Sequence, residues 1–228
     1  MPSVLTEKMK DLFDRFKSAG WITEPQAKEF LKSAGLTVPV FACVESADAA
    51  VSAAADIGYP VAAKVVSPQI LHKSDVGGVA VGLTDEAAIR DAFHRFAGME
   101  GFSAMLVEQM VSGVEVIIGA KNDDQFGPVV LLGIGGTGVE IYQDVVIRMA
   151  PLNGDDVSSM VEQLAGRRIL EGFRGSAPVS RTALTDTLVV FSELAMDAAD
   201  WIESIDLNPV MCTPEACIIA DARIMLQI

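Results

Sequence analysis

The chain has 228 residues, 50% hydrophobic and 21% charged, enough for one sizeable core or two lobes and incompatible with a disordered chain. Lys and Arg number 17 against 31 Asp and Glu, and the formal charge of -14 has the wrong sign for tracking a nucleic-acid backbone. Mean hydropathy is +0.37, but apolar stretches such as Val114 to Ala120 fall far short of the roughly 20 residues of a membrane span, so neither nucleic acid nor membrane is an expected partner.

The opening Met1-Pro2-Ser3-Val4-Leu5-Thr6-Glu7-Lys8 lacks the marks of a secretory leader, and a cytoplasmic location is expected. Apolar Met9, Leu12, Phe13 and Phe16 predict a helix over 7–19, and Thr23, Pro25 and Gln26 predict a second one starting at 23 and ending near Ala34-Gly35. Strands follow at 38–44 and 59–66, separated by an alanine-rich helix over 46–57 that stops at Gly58. A polar loop over 67–78 leads to a strand at 79–83, a helix at 85–97 and a strand at 104–110.

Successive strands are then predicted at 114–121, 129–133 and 145–150, followed by helices near 155–165 and 181–199. Two last strands, 201–209 and 216–225, flank the turn Thr213-Pro214-Glu215. No repeat or long linker interrupts the chain. The expected class is α/β, built as two α+β lobes meeting near 108–112: an N-terminal helical segment (1–22), a first subdomain (23–110) and a second (111–228), with a ligand cleft between the lobes. Cys43, Cys212 and Cys217 are odd in number and lack metal spacing, so all three are expected to be buried reduced thiols.

Several polar residues stand out. Lys64 sits in the apolar run Pro60-Val61-Ala62-Ala63-Lys64-Val65-Val66, where a cation needs an anion: a phosphate, or a structural carboxylate. The loop His72-Lys73-Ser74-Asp75-Val76-Gly77-Gly78-Val79 joins an imidazole, able to carry a phosphoryl group, to paired glycines whose amides suit phosphate. Strand alternation puts Asp206 and Asn208 on one face, and the returning strand brings Asp221 opposite Asn208 or its neighbour, with Arg223 beside Asp221. Such hard oxygen donors suit Mg²⁺ carried with a nucleotide, whereas the alternative is a polar face in which Asp221 and Arg223 satisfy one another. Gly133-Ile134-Gly135-Gly136-Thr137-Gly138 fits G-x-G-x-x-G but opens no predicted helix, so a dinucleotide site is rejected in favour of a mobile turn; no P-loop motif occurs.

Together these motifs resemble the ATP-grasp (β) subunit of ADP-forming acyl-CoA synthetases, relatives of succinyl-CoA synthetase. The resemblance runs from about Thr23 to Arg223 through Tyr59 to Lys64, Ser67-Pro68 and His72 to Val79, Phe126 to Val130, Asp144 through Arg148 to Leu152, Gly172-Phe173-Arg174-Gly175, Asp206 to Pro209 and Asp221 to Arg223. It implies an ATP-grasp fold with the nucleotide between the two lobes. It further implies Lys64 on the phosphates, Gly77, Gly78 and Val79 in the loop over them, Glu108, Gln109 and Met110 on the adenine, and Glu115 on the ribose. Asn208 and Asp221 are similar to the Mg²⁺ ligands, Asp206 to the acid that steadies an incoming phosphohistidine, and His72 to the phosphoryl carrier.

The implied reaction converts acyl-CoA, phosphate and ADP reversibly into acid, CoA and ATP, with ATP/ADP and Mg²⁺ on this chain and CoA on a partner α subunit. Gly138 departs from the bulky residue usual in relatives. The other readings are a nucleotide-sensing regulatory module, against which His72 argues, and a ligase joining a carboxylate to an amine or thiol, for which the chain leaves little room for an acceptor pocket.

Overall fold

The structure is a computed structural model that describes residues 6–136, 144–173 and 175–227. The chain divides into two compact units, a smaller one spanning Pro39–Val111 and a larger one made of Met1–Val38 with Ser112–Ile228.

In the smaller unit, strands β2 (Phe41–Val44), β3 (Val61–Val66), β4 (Val79–Leu83) and β5 (Ala104–Gln109) form an antiparallel sheet in the order β2-β5-β3-β4. Helices α3 (Ala47–Ile57) and α4 (Glu86–Ala97) begin where Ser46 and Asp85 accept hydrogen bonds from the amides of Ala49 and Ala88. Their apolar faces pack on one side of the sheet, where Ala50, Ala54, Ile89 and Phe96 cluster with Val61, Ala63, Val65, Met105 and Val107. Strand register places Ala62, Lys64, Leu106 and Glu108 on the opposite side. Every residue of β3 is buried, Lys64 included, as the apolar flanks of that lysine predict.

The larger unit holds a sheet of order β1-β11-β9-β6-β7-β8, with β10 also paired to β9. Its strands are β1 (Trp21–Ile22), β6 (Val114–Asp123), β7 (Gly127–Ile134), β8 (Val145–Met149), β9 (Ile202–Cys212), β10 (Cys217–Ile219) and β11 (Arg223–Leu226). Helix α5 (Gly154–Gln163), opened by an Asn153–Asp156 capping box, and helix α7 (Arg181–Asp197) contribute Met160, Leu188 and Phe191 to a core with Ile118, Val130, Leu132 and Leu207. A short helix α6 (Arg167–Leu170) lies between them.

The described residues 6–38 pack with this larger unit, whereas the sequence reading places its divisions after residues 22 and 110. Trp21 and Ile22 pair with Met225 and Ile224, and helices α1 (Glu7–Phe16) and α2 (Glu24–Ser33) bury Phe13, Phe30 and Leu31 in the same core. A two-residue strand carries no periodicity, so nothing in the sequence marks β1. The expected strand over 216–225 is also divided, because β10 and β11 pair with β9 separately and residues 220–222 lie between them. Cys212 and Cys217 are buried reduced thiols directly opposite one another in β9 and β10, whereas Cys43 is exposed, contrary to expectation. The Cys217 side chain and burial hold the Cys212 thiol above its usual range. No described helix is long and apolar enough to cross a membrane.

Phe191 has no exposed surface, so Phe191→Ala should cost about 3–5 kcal/mol in urea unfolding, against less than about 0.5 kcal/mol for Phe126→Ala at an exposed turn.

Candidate functional site

In the smaller unit the polar group on the sheet side away from the helices is an ion pair. Lys64 Nζ lies 2.9 Å from Glu108 Oε1, with side-chain exposures of 8% and 4%. Glu108 is opposite Ala62 and Lys64 is opposite Leu106, so the two side chains meet diagonally across neighbouring strands. The carboxylate partner therefore exists, and it is a residue that the family resemblance assigns to the adenine. Gln109 and Met110 follow at the exposed end of β5, where the Gln109 amide donates to the Val40 carbonyl at 2.9 Å.

Loop 67–78 leaves β3 and comes back to it. The Gly78 carbonyl accepts from the Val65 amide at 2.8 Å, and Val79 is registered opposite Lys64. A Cβ on Gly78 would stand 2.5 Å from Val65 Cγ1, so glycine is what lets the loop close against the strand. The Gly78 amide donates to the Lys73 carbonyl at 2.7 Å and the Gly77 amide to the Ser74 carbonyl at 3.2 Å. Both amides here close the loop on itself. His72 is exposed in the same loop, immediately before Lys73.

In the larger unit, β9 carries Asp206 and Asn208, and Asp221 and Arg223 lie between β10 and β11 and at the start of β11. Val116 is opposite Val210 and Ile118 opposite Leu207, so Asn208 and Pro209 face the single residue Ile117, a β-bulge. Upstream of the bulge Ile205 and Leu207 are buried while Asp206 and Asn208 are not, as alternation predicts. The Pro209 carbonyl accepts from the amides of Ala220 (3.0 Å) and Asp221 (3.4 Å), which ties the Asp221 backbone to the residue that follows Asn208. Asp221 Oδ1 accepts from the Ala222 amide at 2.9 Å. Arg223, registered opposite Asp206, donates to its carboxylate at 3.1 Å.

Among the described residues no three His, Cys, Asp or Glu side chains gather to hold an ion. The donor set at the bulge, one amide and one carboxylate, still fits Mg²⁺, which takes one or two protein oxygens and completes its shell with phosphate oxygens and water.

Glu115 lies opposite Met211 in β6 and is covered by the glycines that follow β7. The Gly135 amide donates to the Glu115 carbonyl at 2.7 Å, and a Cβ on Gly135 would stand 2.7 Å from Glu115 Cβ and 2.8 Å from its carbonyl carbon. The close backbone approach at Gly135 is thus to this chain's own strand; Thr137 to Gln143, with Gly138, lie outside the described residues. Asp144, quoted above only as part of a motif, accepts from the Ala165 and Gly166 amides at 2.8 and 2.7 Å and so fixes the approach to α6. Its partners lie more than twenty residues away, which no local pattern reveals.

The ATP-grasp domain family matches residues 15–226. The chain is 37% identical to the acetate–CoA ligase [ADP-forming] I subunit beta of Pyrococcus furiosus, over 96% of this chain and 98% of that one. It is 36% identical to the 4-hydroxybutyrate–CoA ligase [ADP-forming] of Nitrosopumilus maritimus over 96% of this chain, but spans only 33% of that longer protein. In structure it is similar to the acetyl-coenzyme A synthetase 1 of Candidatus Korarchaeum cryptofilum in complex with coenzyme A, Ca-AMPCP and HgCl+, with a TM-score of 0.89 and 38% identity over 96% of this chain and 99% of that one.

Gly135→Ala should lose about 1–3 kcal/mol of unfolding free energy in urea, because the added Cβ meets backbone that cannot turn aside; wild-type stability in this variant would contradict the close approach to Glu115.

Proposed function

The chain belongs to the ATP-grasp domain family, and we propose on that footing that it is the nucleotide-binding part of an ADP-forming acyl-CoA synthetase, passing a phosphoryl group between a histidine and ADP. Loop 67–78 supports this reading: it carries His72 and the Gly77-Gly78 turn and closes through Gly78 and Val79 on β3, the strand that holds the buried Lys64.

In the direction of ATP synthesis, an imidazole nitrogen of phosphorylated His72 is the leaving group. A terminal oxygen of ADP attacks phosphorus, the O–P bond forms as the N–P bond breaks, and the electron pair of that bond returns to the ring. Lys64 offsets phosphate charge, and Glu108 fixes where its ammonium points. Gly77, Gly78 and Val79 are assigned to the loop over the phosphates, and Gly78 lets that loop close against β3. Glu108, Gln109 and Met110 are assigned to the adenine side and Glu115 to the ribose.

Asn208 and Asp221 are the residues that would hold Mg²⁺, which when bound supplies charge neutralisation to the phosphates. Asp206, half-neutralised by Arg223, is assigned to steadying a phosphohistidine presented from elsewhere. Coenzyme A and the acid are assigned to a partner α subunit in the cytoplasm. The Pyrococcus relative is itself called a β subunit, and the threefold longer Nitrosopumilus relative has room for both halves on one chain.

Incubation with magnesium and γ-labelled ATP should leave an acid-labile, alkali-stable phosphate on the protein, in accord with an N–P bond. His72→Ala should remove that label while nucleotide still binds; label retained in the variant, or none on the wild type, would sink the carrier role.

A further inference from the structure

Lys28 is the one charged side chain with no exposed surface among the described residues. It projects from α2, and its Nζ lies 2.9 Å from Glu24 Oε1 one turn earlier and 2.8 Å from the carbonyl oxygen of Ala220. Glu24 is itself 5% exposed. Removing two such charges from water costs several kcal/mol each, and buried pairs are often replaceable by apolar residues with no loss of stability. Stability alone is therefore a weak reason for this pair, and its third contact points to another.

Ala220 precedes Asp221 in the short segment between β10 and β11, which has no ladder of its own. The Ala220 and Asp221 amides both converge on the Pro209 carbonyl, and the Ala222 amide on the Asp221 carboxylate. Amides thus hold the segment from the bulge side, and the Lys28 ammonium holds its carbonyl from the α2 side. We propose that Lys28, oriented by Glu24, is a positioning residue for the divalent cation carried by the nucleotide: by gripping the Ala220 carbonyl it fixes Asp221 next to Asn208. The inference rests on the assignment of Asn208 and Asp221 as Mg²⁺ ligands made above. An ammonium suits the task because it gives donors to carboxylate and carbonyl at once, and a rigid residue behind a metal ligand commonly governs metal affinity about 10–100-fold.

The test replaces the pair together, Lys28→Met with Glu24→Gln, so that no charge is left buried alone. Binding of ADP is measured by calorimetry with and without magnesium, and the melting temperature is taken without ligand. Affinity for ADP with magnesium should fall by about 10-fold or more while metal-free ADP binds as before. An unchanged magnesium-dependent affinity in the folded variant overturns the proposal, and so does an equal loss with and without metal. If the double variant does not fold, Lys28→Arg carries the test: it keeps the ion pair but displaces the Ala220 carbonyl, and the same metal-selective loss is expected. Wild-type protein that binds ADP indifferently to magnesium overturns the Asn208 and Asp221 assignment itself, and this inference with it.

Discussion

One extra residue in β9 governs the polar side of the larger unit. Asn208 and Pro209 occupy the space opposite Ile117 alone, and the strand that should run uninterrupted along β9 breaks at residues 220–222, where the ladder is lost. Before the bulge, alternation buries Ile205 and Leu207; after it, Val210 and Cys212. The same strand can therefore keep an apolar inner face along its length and still present Asn208, an exposed amide, where β10 gives way to β11. Backbone hydrogen bonds to the Pro209 carbonyl tie Asp221 to the residue after Asn208, so what relates the two is the sheet's irregularity and not its regular register.

The smaller unit solves a different problem, that of keeping a cation inside an apolar strand. Lys64 is affordable in β3 because Glu108 meets it across the sheet, and the diagonal placement leaves Ala62 and Leu106 as the apolar neighbours. Glycine at 78 then lets loop 67–78 close directly onto Val65. On a chain of charge -14, anionic phosphates are repelled at long range, so any attraction for them must be local. That balance gives the few positive groups near loop 67–78 more weight than their number suggests.

Periodicity made most of the fold legible. The helices that became α3, α4 and α7 and strands β3, β4 and β5 stand within about two residues of the pattern that predicts them, because their apolar faces match one packing surface each. What escaped was short or non-local: β1, with two residues; α6, fixed by Asp144 from a distance; and the packing of residues 23–38 in the larger unit, where Phe30 and Leu31 of α2 meet a core built mainly from residues beyond 112. At the candidate site, the motifs pointed to Lys64, Asn208 and Asp221 by type and spacing. They could not show that Glu108 is the partner of Lys64, that the Gly77 and Gly78 amides close their own loop, or that Lys28 reaches Ala220, since the last two residues stand 192 positions apart.

Phosphate recognition is the claim on which the functional account stands, and a calorimetric titration of the intact protein with ADP and with AMP, both with magnesium, tests it most directly. ADP should bind more tightly than AMP by about tenfold or more, equivalent to about 1.4 kcal/mol, because on this proposal the added phosphate brings charge to Lys64. Equal affinity for the two nucleotides, or no binding of ADP at millimolar concentration, would contradict it.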